Sequence, residues 1–475
     1  MGNEAAIFDL DRTLLAGASG PVISGALRKV GLLPERSIPG EGLVFRLFDA
    51  VGENWPSMLL TRQGARLAAG WDRETARTAG EIAADALVEQ VQPYARVLIG
   101  EHRAAGRLVV LATTTPRDMV EPFAQRLGLD AVIATTYECR DGVYTGRIDG
   151  EFVWGKGKLR AVRQWASGND VDLAASYAYS DSWYDVPLLS AVGHPFAVNP
   201  DPRLRAYATL RRWPVLFLDV PPGVPKFLGL EPQTAIFPFI RPELVPYARI
   251  RVEGAEQIPN AGPAIICANH RSYFDPLAVG YAIAKRGRPV RFLGKKEVFD
   301  APIIGDLARA MGGIRVDRGT GSDEPLKEAA AALEAGELVA IMPQGTIPRG
   351  RAFFDPVLKG RWGAARLAAM TRAPVIPLGL WGTEKVWPRN ARLPNVTNVL
   401  HPPEVLVRVG EPVELTYDDL EADTERIMSA IVELLPPEAR EPHEPTPEEL
   451  ARTFPPGYQG DPTDERELER RPGTD

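Results

Sequence analysis

Twice along the chain, short apolar runs alternate with longer stretches of helical periodicity, and this alternation restricts the fold more than any other feature of the sequence. The first series contains AAIF (5–8), RLVVLAT (107–113) and ASYAYS (175–180). The second contains AIICAN (264–269), RFLG (291–294), LVAIMP (338–343), VIPLGL (375–380) and VLVRVG (405–410). Short apolar runs separated by helical stretches are the pattern of strands buried on both faces of a parallel sheet. The expected fold class is therefore α/β, with two α/β domains over 1–212 and 241–435. A length of 475 residues is ample for two full-sized cores.

Between AAIF and RLVVLAT lies a long insertion without a clear strand, in which Ala79, Ile82, Ala83, Ala86 and Leu87 recur at helical spacing. It predicts a helical cap over about 15–95. Residues 213–240 carry only Asp219, Lys226 and Glu231 as charges and are punctuated by prolines, as in an apolar linker. An amphipathic helix near 418–435 closes the second domain. Residues 436–475 are acidic, hold nine prolines and show no apolar periodicity, so this tail is expected to stay unpacked.

With 45% apolar and 25% charged residues, fibrous and disordered classes are excluded. Cys139 and Cys267 lie too far apart for a CxxC metal or redox motif. The start MGNEAAIFDLDRT shows no secretion signal, and no apolar run approaches the ~18 residues that cross a bilayer. A cytoplasmic location with peripheral contact at the inner face of the cell membrane is expected. The net charge of −7 hides a cationic segment: residues 241–417 hold 24 Lys+Arg against 18 Asp+Glu, or +6. That excess suits an anionic ligand or surface. No nucleic-acid motif competes for it.

AAIF runs directly into Asp9-Leu10-Asp11-Arg12-Thr13, which places two carboxylates at the carboxyl end of a parallel strand, where open α/β sheets bind ligands. One carboxylate can attack phosphorus while the other shuttles the leaving-group proton, and a divalent cation screens their charge. The segment Ser180-Asp181-Ser182-Trp183-Tyr184-Asp185 follows another strand and supplies further carboxylates for Mg2+, a hard ion that prefers oxygen. Thr113, at the end of RLVVLAT, and Lys158, in Gly155-Lys156-Gly157-Lys158, can hold a phosphate. This order of motifs over residues 5–212 resembles the haloacid dehalogenase-like phosphatases, in particular the phosphoserine phosphatase-like branch, and implies a Rossmann-like domain with a helical cap. The resemblance makes Asp9 the nucleophile, forming an aspartyl-phosphate, and Asp11 the acid/base. Thr113 and Lys158 become phosphate ligands, and Asp9, Asp11, Asp181 and Asp185 the metal site. Ser180 stands where that family commonly has glycine. A cap that closes over the nucleophile favours a small phosphomonoester.

AIICAN empties into Asn269-His270-Arg271-Ser272-Tyr273-Phe274-Asp275, where a histidine and an aspartate can meet across a strand-to-helix turn. The carboxylate then orients the imidazole for removal of a hydroxyl proton. Gly313-Ile314-Arg315-Val316-Asp317-Arg318 offers guanidinium groups for a phosphate. Pro343-Gln344-Gly345-Thr346 forms a tight turn after a strand, and Val375-Ile376-Pro377 lies on another strand edge. These four blocks, with Lys359-Gly360, resemble the glycerolipid acyltransferases over about 247–417, specifically the 1-acyl-glycerol-3-phosphate acyltransferases. The resemblance implies His270 as general base with Asp275 as its partner. It implies Arg315 and Arg318 as acceptor-phosphate ligands, with Gln344, Gly345 and Thr346 shaping the acceptor site. The third block of that family usually reads E-G-T-R, whereas this chain has Gln344-Gly345-Thr346-Ile347.

The expectation is a bifunctional enzyme of phospholipid synthesis. Its carboxyl-terminal half moves an acyl group from acyl-CoA or acyl carrier protein to a lysophospholipid hydroxyl. Its amino-terminal half is a Mg2+-dependent phosphatase. The alternatives are a different acceptor lipid, or one silent half acting as a binding module.

Overall fold

Ala5–Phe8 and Ala264–Cys267 are entirely inaccessible to solvent, as strands covered on both faces must be. The computed structural model describes residues 2–34, 62–227, 229–240, 245–316 and 324–459. It divides into two compact units, Met1–Pro222 and Gly223–Asp475.

In the first unit the strands are β1 (Ala5–Phe8), β2 (Leu108–Pro116), β3 (Ala131–Arg140), β4 (Val143–Asp149), β5 (Tyr177–Ser180), β6 (His194–Val198) and β7 (Val215–Leu216). Their order is β4-β3-β2-β1-β5-β6-β7. All neighbours pair in parallel except β3 and β4. The switch of strand order falls at β1, flanked by β2 and β5, so ligand groups converge where β1 ends. The long insertion is helical in its described part, with Gly20–Lys29 packed on Arg73–Glu89, although residues 35–61 of the expected cap lie outside the described residues. Asp72 caps the second helix by accepting from the Thr75 N–H at 2.7 Å. Arg73 then forms a two-pronged ion pair with buried Asp118, whose carboxylate also accepts from Tyr144 Oη at 2.8 Å.

The second unit contains β8 (Arg249–Glu253), β9 (Ala264–Ala268), β10 (Val290–Lys295), β11 (Ile314–Val316), β12 (Leu338–Ile341), β13 (Val375–Trp381) and β14 (Glu404–Val409). Their order is β11-β10-β12-β9-β13-β14-β8. Strands β11 to β13 run parallel, while β14 pairs antiparallel with β13 and parallel with β8. Cys267 is a core residue of β9, and burial pushes its thiol pKa up. Among the described residues no helix is long and apolar enough to cross a membrane.

Two expectations about organisation change. The apolar segment 213–240 is divided between the units: Val215–Leu216 extends the first sheet, and the second unit begins at Gly223. Arg291 is fully buried and clamps Glu231, at 2.7 Å, and Glu337, at 2.6 Å, so the end of this segment is anchored to β10. The tail does not stay unpacked over its described part. Leu450 and Phe454 are buried, Thr453 Oγ1 accepts from the Gly350 N–H at 2.8 Å, and Thr446 with Glu449 forms a capping box. Two apolar anchors and one cap suffice to dock a helix of six residues, and average composition conceals them. Residues 460–475 lie outside the described residues.

Candidate active sites

In the first unit β1 delivers Asp9 to the carboxyl edge of the sheet with only 7% of its surface exposed. The helix Lys156–Gly168 delivers Lys158 to the same place from outside the sheet. Gly155 takes a φ of +55° at that helix start, and a Cβ on Gly157 would sit 2.2 Å from the Phe152 carbonyl oxygen. The glycines thus let the chain turn tightly enough to bury the lysine completely. Lys158 Nζ donates to Asp9 Oδ1 at 2.7 Å and to Asp185 Oδ2 at 2.6 Å. Ser180 Oγ donates to the same Asp185 oxygen at 2.8 Å, which gives the residue found in place of glycine a definite contact. The other Asp185 oxygen, Oδ1, is buried without a hydrogen-bond partner.

The remaining residues of the first motif set surround this centre. Asp11 Oδ1 accepts from the Ser19 N–H at 2.6 Å, and Asp181 lies 3.4 Å from Arg12 Nε. Thr113, on β2, is buried, and its hydroxyl donates to Thr115 Oγ1 at 3.2 Å. Motif reasoning gave no role to Arg12, Gln92 or Asn199. Arg12 has a left-handed φ of 55°, and its carbonyl accepts from Asn199 Nδ2 at 3.0 Å. Gln92 Nε2 donates to the Thr13 carbonyl at 2.6 Å, so two amide side chains hold the strained loop behind Asp9. Among the described residues no group of three His, Cys, Asp or Glu is arranged to hold a metal ion. The unsatisfied Asp185 Oδ1 and the all-oxygen character of the neighbouring carboxylates nevertheless suit a hard cation.

In the second unit Asn269 ends β9 by bridging to β13: its Nδ2 donates to the Leu380 carbonyl at 2.9 Å and its Oδ1 accepts from the Leu380 N–H at 2.7 Å. The next residue is His270. Its Nδ1 lies 2.7 Å from Asp275 Oδ2, an oxygen that also accepts from the N–H groups of Arg271, at 2.6 Å, and Ser272, at 2.8 Å. A buried carboxylate oxygen that takes two backbone donors is fixed in position, and it selects the imidazole tautomer with the proton on Nδ1. Nε2 is then left as the base, on a side chain 18% exposed. Asp275 Oδ1 is buried without a hydrogen-bond partner.

Gln344 follows β12, and its Oε1 accepts from the His270 N–H at 2.6 Å. An amide oxygen supplies this bond as a carboxylate would, so the departure from E-G-T-R leaves the contact available. Gly345 turns the chain with φ +71°, and Thr346 Oγ1 accepts from Lys295 Nζ at 3.3 Å. Arg315 is on β11, three places from β9 in the sheet, and its Nη1 lies 3.1 Å from Asp300 Oδ1. Arg318 lies outside the described residues. The structure therefore gathers His270, Asp275 and Gln344 closely and puts Arg315 at the sheet margin. Arg271 is held between Phe353 and Trp381, 4.3 and 4.2 Å from their ring centroids, and pairs with Glu384 at 3.1 Å. It lines a cavity of 530 Å³ that the carboxyl-terminal segment walls through His443, Arg452 and Thr453.

Comparison with known proteins agrees with this division. Residues 6–190 match the haloacid dehalogenase-like hydrolase family and residues 249–381 the acyltransferase family. The chain is 38% identical over 220 residues to an inhibition of morphological differentiation protein of Streptomyces azureus, covering 45% of this chain and 77% of that protein. It is 35% identical over 214 residues to a phosphoserine phosphatase of Mycobacterium tuberculosis, covering 44% of this chain and 70% of that protein. A solved 1-acyl-sn-glycerophosphate acyltransferase of Thermotoga maritima is 23% identical with a TM-score of 0.32, covering 42% of this chain and 80% of that one. With its Asp9 motif at the end of the first sheet's β1 and its His270/Asp275 pair beyond β9 of the second, the chain belongs to the haloacid dehalogenase-like hydrolases through its amino-terminal half and carries a fused acyltransferase domain.

Proposed function

We propose that the second unit acylates the free hydroxyl of a 1-acyl-glycerol-3-phosphate with an acyl group from acyl-CoA or acyl carrier protein, and that the first unit is a Mg2+-dependent phosphatase of a small phosphomonoester. The observation that carries the acyl-transfer reading is the 2.7 Å contact between His270 Nδ1 and Asp275 Oδ2 with the imidazole still partly open to solvent. Nε2 takes the hydroxyl proton as the acceptor oxygen bonds to the thioester carbonyl carbon. The tetrahedral adduct collapses with loss of the thiolate, which recovers that proton from the imidazolium. Lys295, beside Thr346 at the same sheet edge, supports binding of an anionic acceptor.

In the first unit Asp9 attacks phosphorus and Asp11 protonates the leaving alkoxide. Asp9, Asp181 and Asp185 would hold Mg2+ together with Asp11, and the ion would neutralise phosphate charge. Lys158 orients Asp9 by direct contact, and Thr113 stands beside it on β2 to receive a phosphate oxygen. A different acceptor lipid is the second reading for acyl transfer, favoured by Ile347, which is only 4% exposed where the resembling family places an arginine.

Asp9→Asn and His270→Ala proteins test the assignment in parallel. Asp9→Asn should lose phosphate release and retain thiol release from an acyl thioester, and His270→Ala should do the reverse. Acyl transfer that survives in His270→Ala would overturn the base assignment. A product profile with several acceptors decides between the two lipids.

A further inference from the structure

Two excursions that leave the carboxyl edge of the second sheet, where His270 also stands, expose aliphatic side chains. One follows β10: Ile303 is 81% exposed, with Ile304 and Leu307 beside it in the helix Ile304–Ala310. The other joins β13 to β14, where Leu393 is 76% and Leu400 85% exposed, with Val396 and Val399 between them. Since β14 runs antiparallel to β13, this whole connection lies at the edge where His270 leaves β9. In the sheet order β10-β12-β9-β13 the two excursions leave on either side of β9, about 14 Å apart at a strand spacing near 4.8 Å.

Neither excursion is slack. Trp387 Nε1 donates to the Ala391 carbonyl at 3.1 Å, the Asn395 N–H to the Val386 carbonyl at 3.0 Å and Thr397 Oγ1 to Asn395 Oδ1 at 2.8 Å. Ile303 holds a left-handed φ of 67°, a costly conformation for a β-branched residue, while its side chain points away from the protein. The charge around the second excursion is mainly cationic: between β13 and β14 stand Lys385, Arg389 and Arg392 against Glu384, which is paired with Arg271. Arg389 is turned inward to the carbonyls of Ile347 and Pro348, whereas Lys385 and Arg392 are exposed. Four aliphatic tips flanked by exposed cations fit an anionic bilayer surface. A protein interface core is characteristically richer in aromatic anchors.

We propose that this edge is the membrane seat of the enzyme, with Leu393–Leu400 inserting as a wedge and Ile303–Leu307 as a second contact, so that His270 faces the lipid from which its acceptor comes. The choice of a lipid surface rests on the acyl-transfer reading; the wedge itself stands on exposure and charge, and the second contact, which carries the exposed Asp306 paired with Arg309, on exposure alone.

The test is sedimentation of the full chain with vesicles of phosphatidylglycerol and phosphatidylcholine in equal parts, against pure phosphatidylcholine. Wild type should bind the anionic vesicles and release them in high salt. Leu393→Ser/Leu400→Ser should weaken partition by about a hundredfold, roughly tenfold for each leucine withdrawn from the acyl boundary. Met370→Ser, at the end of the helix that leads into the opposite end of β13, should bind as wild type does. His270→Ala should also bind normally, so loss of acyl transfer without loss of binding condemns the functional reading and spares the surface. The proposal is overturned if wild type ignores anionic vesicles, if the double serine variant partitions as wild type, or if that variant instead abolishes self-association in sedimentation velocity.

Discussion

Replacing Lys158 by methionine isolates the energetic logic of the first site. The side chain has no exposed surface and bridges Asp9 at 2.7 Å and Asp185 at 2.6 Å. Methionine fills a similar volume but leaves two carboxylates facing each other, with Ser180 as the donor still in contact with Asp185. Removing one partner from a buried ion pair typically costs about 3–5 kcal/mol. Lys158→Met should therefore be destabilised by about 3–5 kcal/mol at pH 7. Lys158→Met/Asp185→Asn should regain much of it at pH 7, since one charge is gone and the amide oxygen still accepts from Ser180. Native-state hydrogen exchange at Ala5–Phe8 and Tyr177–Ser180, in chelator, reports on these strands directly. Phosphate release should vanish in both variants. A Lys158→Met protein as stable as wild type, or a double variant no more stable than the single one, would refute the account of this site as a charge network closed by one ammonium.

Two further outcomes follow from single contacts. Gln344→Leu removes the acceptor of the His270 N–H and should lower kcat for acyl transfer ten- to a hundredfold, on the order of 1–3 kcal/mol, with KM for the acceptor little changed; Gln344→Glu should restore it. A raised KM at unchanged kcat would instead make Gln344 an acceptor ligand. Burial, and secondarily the Arg107 charge, hold the pKa of His102 down to about 4, while its Nε2 contacts Tyr179 Oη at 2.8 Å. Unfolding lets this imidazole regain its usual value near 6.5, so the unfolded chain binds the extra proton and stability falls as pH drops from 6.5 toward 4. Denaturant titrations of the first unit should show a loss of about 2 kcal/mol between pH 6.5 and 5, flattened in His102→Gln.

The elements legible in the sequence were those whose signal is local. A fully buried strand followed at once by its functional residue occupies a few adjacent positions, as with Phe8 to Asp9 and Ala268 to His270, and both appear where strand and motif end. The strands that escaped notice are those with mixed patterns. Strands β4 and β8 stand at sheet margins and mix exposed with partly buried residues, Tyr144 alone of β4 being fully buried, and no apolar run marks them. Contacts that cross the chain were also hidden. Lys158 meets Asp9 across 149 residues and Asn269 meets Leu380 across 111, and no spacing rule connects such pairs. Gln344 shows the same limit: a substitution read as a change in acceptor recognition contacts the backbone of the histidine itself.

The two sites use one topological device and arrive at opposite exposures. Each places its reactive group just beyond the carboxyl end of a central parallel strand. At the first, Asp9 is 7% exposed, Lys158 and Asp185 are sealed, and the neighbouring loop is held by Gln92 and Asn199. Such a site pays for buried charge with direct ion pairs between its own side chains. At the second, the charged partner Asp275 is equally buried, but the imidazole it orients remains 18% exposed. The carboxylate's cost is met locally by the Arg271 and Ser272 N–H groups, so the base stays ordered without being enclosed. An open base suits an acceptor too long to be engulfed. The exposed aliphatic excursions that leave the sheet on either side of β9 would then exclude water by joining a bilayer.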